Sequence, residues 1–355
     1  MIDRKSYEPL YVQVRKDIED KILEGHIKIG DKLMSEAEMI RYYNVGRMTI
    51  RAALSELVSS GCVKKEQGLG TFCVALPKRE ISKKIDVLLN MLDTYFVPYF
   101  LTGISRVLDD RNCDMVCHDT MDSQANIVRL LNLIMARGTD GILLQSYTGT
   151  DEVTEEYAAA IKLCQAMKIP LVTIGGKVKG IDTPCVMHDN NRGAYVATQH
   201  ALEMGHKKIL GLFQGRYKDA KFRAEGYVQA MTEAGLNPCV LDAAKTDFDD
   251  LVKQISAGDV TAIVCYNDYL AVKLYRKFEK VGIEVGEDVS IIGYDDTELS
   301  TCSIPALTSI THPKDVMGER ATQMLMTLVD GKALLQERHM FEPELVKRNS
   351  VKKVN

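Results

Sequence analysis

The chain has 355 residues, of which 46% are hydrophobic and 26% are charged, and its formal net charge is −4. This composition excludes long disordered or fibrous segments, and the length exceeds what one hydrophobic core usually supports, so we expect two or three domains. Residues 1–84 hold 16 Lys and Arg against 12 Asp and Glu, a balance of +4, whereas the rest holds 29 against 37, a balance of −8. A basic amino-terminal part suits a nucleic-acid contact confined to one end.

The cysteines and the apolar runs indicate a cellular location. Nine cysteines form no Cys-x-x-Cys pair, and an odd number cannot all pair within one chain, so the sequence predicts a reducing compartment. No stretch approaches the roughly 18 apolar residues of a membrane helix, and the first residues lack the apolar region of an export signal. We therefore expect a cytoplasmic protein without a membrane partner.

Two helices are predicted near the amino terminus. Apolar residues recur every four positions from Leu10 to Ile22, which predicts an amphipathic helix over 10–24. Ser35 and Glu38 have the spacing of a capping box, in which the hydroxyl accepts a backbone N–H and the carboxylate reaches back. A second, short helix should therefore follow Ser35.

A third helix and a hairpin complete this part of the chain. The helix is predicted over 47–60 and is followed by two β-prone runs around Gly68 and Gly70, which permit the tight backbone of a hairpin tip. The apolar residues of the helix should share one buried face: Ile50, Leu54, Leu57 and Val58. Three helices and a hairpin predict a winged helix-turn-helix domain over 1–76.

The segment 77–84, PKREISKK, combines a proline with charge and few apolar residues, which predicts a linker. From 85 to 355, seven apolar runs alternate with helix-like sequence: IDVLLN, CDMVCH, GILLQ, LVTIG, KKILGLF, TAIVCY and VSIIGY. Such alternation is typical of parallel sheets covered by helices, and this length favours two α/β lobes. The run FEPELVKR should add a last strand.

Residues 9–74 resemble the GntR-type winged-helix regulators through PLYVQV, SEAEM, VGRMTIRAALSEL and QGLGTF, although Met34 and Gly46 depart from the family pattern. The resemblance implies that the following residues contact double-stranded DNA: Glu36, Arg47, Thr49, Arg51, Gln67, Gly68 and Thr71. An arginine fork matches guanine O6 and N7. Alternatively, Arg47 and Arg51 form only a solvated helix face, and Glu36 only favours the dipole of its helix.

The rest of the chain resembles the LacI-type effector domains, which are related to periplasmic sugar-binding proteins. Its motifs occur in family order: HDNNRGAYVATQHALEMGHKKI, RAEGYVQAM, CYNDYLAV, VSIIGYDDTELS and LTSITHP. The resemblance implies ligand contacts from six residues: Asn90, His188, Arg223, Asn267, Asp295 and His312. All but Arg223 lie at or just beyond the carboxyl ends of strand-like runs, where open α/β sheets bind ligands. Gly175 replaces a residue that is often polar in this family.

Three aromatic residues, Tyr95, Phe96 and Phe100, follow the first of these strands and are placed to stack on a sugar. Their alternative role is core packing, and Asp295 has the alternative role of capping a loop. His118, His200, His206 and His339 show no metal-ligand spacing with the cysteines, so we expect no metal and no cofactor.

Together, the two resemblances imply an allosteric transcriptional repressor that acts as a homodimer and responds to a small sugar. The combination looks most like the arabinose-responsive repressors of Gram-positive bacteria, which favours L-arabinose; another polar metabolite, acting as inducer or corepressor, is the alternative. An enzyme is disfavoured because IGGKVKG lacks the end of a phosphate-binding loop and no activated nucleophile is recognisable. A transport-type sugar receptor would carry an export signal and no DNA-binding domain.

Overall fold

The computed structural model describes residues 8–77, 83–149 and 152–354. The described residues up to 77 form one compact unit and those from 83 onward form a second. Most of the predicted linker lies outside the described residues, but Lys84, its last residue, is the first residue of a strand. No helix in the described ranges is long and apolar enough to cross a membrane.

The first unit is the predicted winged helix. Its elements are α1 Leu10–Leu23, α2 Glu36–Tyr43, α3 Arg47–Ser59, β1 Val63–Glu66 and β2 Gly70–Cys73. The capping box is present, since the Ser35 side chain accepts from the Glu38 N–H and the Glu38 carboxylate accepts from the Ser35 N–H. β1 and β2 pair antiparallel around Gly68, whose φ of +76° favours glycine.

One prediction about α3 was wrong. Ile50, Leu54 and Leu57 are buried, but Val58 is 42% exposed, and Ala53 is buried in its place. At 100° per residue, position 58 lies about 80° from position 50 and therefore falls at the edge of the buried stripe.

The second unit alternates strands and helices. Its first half contains β3 Lys84–Leu89, α4 Val97–Asp110, β4 Asp114–Asp119, α5 Gln124–Arg137, β5 Gly141–Gln145, α6 Glu155–Ala166, β6 Leu171–Ile174 and β7 Cys185–His188. Its second half contains α7 Asn190–Glu203, β8 Ile209–Phe213, α8 Lys218–Glu233, β9 Cys239–Asp242, α9 Phe248–Ser256, β10 Ala262–Cys265, α10 Asp268–Glu279, β11 Ser290–Asp295, α11 Glu298–Cys302, β12 Thr308–Thr311, α12 Lys314–Val329, β13 Arg338–Phe341 and β14 Leu345–Val346.

These strands form two six-stranded sheets, in the orders β13-β7-β6-β5-β3-β4 and β14-β12-β11-β10-β8-β9. All pairings within them are parallel except that of β14 with β12. The seven predicted strands are present, but the expected helix after β6 is absent, because the loop after Gly175 leads directly into β7. FEPELVKR holds the end of one strand and then β14, so it is not a single strand.

Each sheet is the centre of one lobe. In the first lobe, α4 and α12 cover one face of the sheet and α5 and α6 cover the other. In the second lobe, α9 and α10 cover one face of the sheet and α7 and α8 cover the other. The chain crosses between the lobes three times: after β7, between β12 and α12, and between β13 and β14. Helix α12 therefore belongs to the first lobe although it follows the strands of the second.

Candidate functional site

The winged-helix unit presents the amino end of α3 to solvent. Arg47, Met48 and Arg51 are exposed and Thr49 is partly exposed. The Arg47 side chain makes no ion pair or hydrogen bond with any other described residue, so its guanidinium fork is open to a partner. An arginine in this position has the donor geometry to read a guanine edge.

Glu36, the first residue of α2, joins three elements of this unit. Its carboxylate accepts from Arg51 Nε at 3.1 Å and from Lys65 Nζ at 3.0 Å. These hydrogen bonds, Lys65 first and then Arg51, lower the pKa of Glu36. The carboxylate thus holds one basic side chain of α3 and one of β1 side by side, which is a positioning role that the sequence motif did not indicate.

The hairpin residues differ in exposure. Gln67 and Gly68 lie exposed at the tip, whereas Thr71 is only 9% exposed and its carbonyl accepts from the Leu33 N–H at 2.8 Å. Thr71 therefore offers little surface to a partner. DNA contacts from these three residues stay a prediction.

A cavity of about 820 Å³ separates the two lobes of the second unit. All nine residues predicted to bind a ligand line it: Asn90, Tyr95, Phe96, Phe100, His188, Arg223, Asn267, Asp295 and His312. Strand ends bring most of them together, because the carboxyl ends of parallel strands meet at one edge of a sheet. Their contact with a ligand stays a prediction, although their convergence is observed.

Asp295, at the end of β11, is the centre of the charged part of the cavity. Its Oδ1 lies 3.1 Å from His312 Nδ1, 3.2 Å from Lys314 Nζ and 3.7 Å from Arg223 Nη2. Burial alone would raise the pKa of Asp295, but these groups, Lys314 foremost, hold it well below its usual value. Asp295 is therefore ionised and accepts hydrogen bonds only. A loop-capping role does not account for these contacts.

The Arg223 guanidinium is 2% exposed and is fixed by the second lobe. Its Nε donates to Asn190 Oδ1 at 2.8 Å, and Nη1 donates to the Tyr266 carbonyl. The Tyr294 ring centroid lies 3.6 Å from its central carbon, a cation–π contact. Because Arg223 is rigid and already charged, it can bind a ligand oxygen without reorganisation.

His188 and His312 stack at 4.4 Å between ring centroids, where two of the lobe crossings meet. Burial, and then the charge of His312, lowers the pKa of His188 to about 2; burial, and then Lys314, lowers that of His312 to about 4. Both rings are therefore neutral near pH 7. His188 Nε2 is buried and has no hydrogen-bond partner among the described residues, so it is available to a ligand.

Tyr95, Phe96 and Phe100 were predicted either to stack on a sugar or to pack in the core, and their surroundings differ. The Tyr95 hydroxyl donates to Asp295 Oδ2 and accepts from Asn267 Nδ2, so this first-lobe residue reaches the second lobe. Phe100 lines the cavity but also belongs to the core formed by α4 and α12, and Phe96 packs against that core. Tyr95 is the polar member of the set.

Sequence reasoning missed several lining residues. Lys314 lies two positions beyond His312, Tyr269 stacks on Tyr95 at 6.2 Å between centroids, and Lys177 lines the wall that Gly175 begins. Only the position of Lys314 just past β12 could have identified it from the sequence as a lining residue. Together the described lining residues include five carboxylates and five lysine or arginine side chains, so their formal charges balance.

Among the residues described, no group of three or more His, Cys, Asp or Glu side chains could hold a metal ion. The cysteines do not share one environment, because Cys117, Cys239 and Cys302 are exposed whereas most of the others are buried. Cys117 is exposed because β4 is the outermost strand of the first sheet.

Comparisons with known proteins agree with this two-part architecture. Residues 10–73 match the bacterial regulatory proteins of the gntR family, and residues 198–351 match the periplasmic binding protein-like domain. An arabinose metabolism transcriptional repressor from Halalkalibacterium halodurans is 31% identical over 97% of this chain and 96% of that protein. Its namesake from Geobacillus stearothermophilus is 27% identical over 98% of each chain.

Among solved structures, the lac repressor dimer bound to operator and the anti-inducer ONPF is similar in fold. Its TM-score is 0.66 at 21% identity, and the match covers 77% of this chain and 95% of that chain. The cavity described above lies within the part of the chain that follows the winged helix. The chain therefore belongs to the family of ligand-responsive transcriptional repressors in which a GntR-type winged-helix domain precedes a LacI-type, periplasmic-binding-protein-like domain.

Proposed function

We propose that this repressor binds operator DNA as a homodimer and is released by a neutral sugar, with L-arabinose as the effector. The observation that carries the proposal is the cavity between the lobes, whose formal charges balance and in which an ionised carboxylate, a fixed guanidinium, an amide and two neutral imidazoles converge. Planar polar groups of this kind suit the paired hydroxyls of a sugar, and Tyr95 or Tyr269 supplies a face for its carbon atoms.

The balance of charge argues against an anionic effector. A phosphorylated sugar or a nucleotide brings negative charge, and its site requires an excess of cationic donors. Here the carboxylates equal the cationic side chains in number, and two of them act on Arg223: Asp295, which is buried, and Asp219, which is partly exposed. L-arabinose is favoured among neutral sugars because two relatives that match nearly the whole chain are named for arabinose metabolism.

Dimerisation is supported by the operator-bound lac repressor, which is a dimer. Two winged helices related by a two-fold axis read two half-sites of a pseudo-palindrome, and two-fold dimers are the commonest closed assemblies. Release follows if the sugar binds better to the closed form of the lobes than to the form that holds DNA.

The effector assignment is tested by ligand-induced stabilisation. At 100 times its dissociation constant, L-arabinose should stabilise the folded protein by about 2.7 kcal/mol and raise the melting temperature accordingly. Asp295→Asn should abolish the shift, since the amide no longer matches the three cationic or donor groups around it. Asp330→Asn, the same change at a site outside the cavity, should keep it.

A panel of monosaccharides, phosphorylated sugars, purines and amino acids completes that experiment. Stabilisation by an anionic or nitrogenous compound and by no free sugar would remove the sugar assignment. Membership of the repressor family would stand in that case, because it rests on the whole-chain relatives.

A further inference from the structure

Lys314 is an unusual residue for a protein interior. It is the first residue of α12, immediately after the crossing from β12, and its side chain is 5% exposed. Burying an ammonium is costly unless it is paired and its protons are accepted, and lysines are among the residues least often buried. Lys314 lines the cavity between the lobes, so what accepts its protons bears on what the cavity holds.

The protein itself supplies one partner for this ammonium. Lys314 Nζ lies 3.2 Å from Asp295 Oδ1, but that oxygen also serves His312 and faces Arg223. An ammonium carries three protons, and Nζ has no well-formed hydrogen bond to any acceptor in the described parts of the chain. At least two of its protons therefore remain for whatever occupies the cavity.

The hydrogen-bond donors around Lys314 already have partners within the protein. Arg223 gives Nε to Asn190 and Nη1 to the Tyr266 carbonyl, and Asn267 Nδ2 donates to Tyr95. Asp295 can only accept hydrogen bonds, whereas Lys314 can only donate them. Side by side, they can hold neighbouring oxygens of a polyhydroxy ring, Asp295 accepting from one hydroxyl while Lys314 donates to the oxygen next to it.

We propose that Lys314 is a further ligand-binding and specificity-determining residue, which donates hydrogen bonds to a pair of adjacent oxygens on a neutral sugar. The inference rests on the proposed function and deepens it. Lys314 belongs to the first lobe and Asp295 to the second, so a sugar that bridges them also joins the lobes. Binding to this pair thereby selects the closed cleft.

The test combines Lys314→Met with monodeoxy analogues of L-arabinose at positions 1 to 4, measured by calorimetric titration of the full-length protein. The wild type should lose at least tenfold in affinity for the analogues that lack an oxygen bound by Lys314. Lys314→Met should bind L-arabinose at least tenfold more weakly and should lose nothing further with those same analogues. Lys332→Met, a matched change at an exposed position, should bind like the wild type.

The inference is overturned if folded Lys314→Met binds L-arabinose with wild-type affinity, or if its loss is the same for every deoxy analogue, as expected of a purely structural ion pair. Lys314→Leu, which likewise removes the donor, provides the same comparison if Lys314→Met fails to fold. A wild-type protein that binds no sugar overturns the proposed function and this inference with it. Sugar binding that is indifferent to Lys314 overturns the inference alone.

Discussion

Arg47 and Arg51 lie one turn apart on α3 but have different surroundings. Arg51 is paired with Glu36, which also holds Lys65, whereas Arg47 is exposed and makes no ion pair with another described residue. A side chain already fixed by a carboxylate loses part of its attraction for bases and suits a phosphate contact at a set position. The free fork of Arg47 suits base reading.

Arg47→Ala should weaken operator binding by about 1 to 3 kcal/mol and relax the preference at one base pair in each half-site. The measurement is binding to a set of operator variants at one fixed salt concentration. Lys28→Ala removes the same charge from an exposed loop and should weaken all variants alike, if at all. An equal loss across all variants with Arg47→Ala would assign it to the phosphate backbone instead.

The residues of the cavity show what could be predicted at this scale. Asn90, Asn267, Asp295 and His312 could be found because each lies at or just beyond the end of a strand, and strand ends can be recognised from apolar runs. The low exposure of Thr71 could not be predicted, because it depends on a tertiary contact in which the Leu33 N–H donates to the Thr71 carbonyl. Lys314 was missed because its burial depends on which lobe α12 joins, and no local sequence pattern indicates that lobe.

At the scale of elements, α4 and α12 approach unusually closely. A Cβ built on Gly103 would lie 1.8 Å from the Asp315 carbonyl oxygen and 2.9 Å from the Glu319 backbone nitrogen. Backbone atoms of a helix cannot move aside as a flexible side chain can. The spacing of these helices therefore depends on the absence of a side chain at position 103.

Gly103→Ala should destabilise the second unit by about 3 kcal/mol, at the upper end of overpacking costs, despite the better helix propensity of alanine. Denaturant unfolding, followed through the transition of that unit, measures the change. Thr102→Ala, at the exposed neighbouring position, should change the free energy of unfolding by much less. Equal stability of the two variants would show that the helices separate at little cost.

Regular elements could largely be predicted where a local signal was strong. The capping box located α2, and the seven apolar runs located seven strands. Two short strands were missed, β9, which is the outermost strand of its sheet and is partly exposed, and β12, which precedes a crossing between lobes. β7 and β13 were also missed, because both take part in the crossings between lobes rather than in a strand–helix repeat. Their pairing with each other joins segments more than 140 residues apart, which only the folded chain brings together.

At the scale of the whole molecule, the proposed release of DNA by sugar requires reciprocity. If L-arabinose lowers operator affinity by a factor of about 5 to 150, the range of typical coupling energies, operator must lower the affinity for L-arabinose by the same factor. Titrating L-arabinose into the free protein and into the operator-saturated protein measures both sides. Equal affinities would rule out allosteric release, and tighter binding on DNA would make the sugar a corepressor.

The interleaved lobes also constrain how the chain folds as it is synthesised. The winged helix is contiguous and complete once about 77 residues have emerged, at roughly 5 to 20 residues per second. The first lobe must wait for α12 and β13, which are translated after most of the second lobe, and the second lobe then closes with β14 a few residues later. A polypeptide interrupted after α11 therefore has an intact DNA-binding domain but two unfinished lobes, and its sensing half would be a substrate for chaperones and proteases.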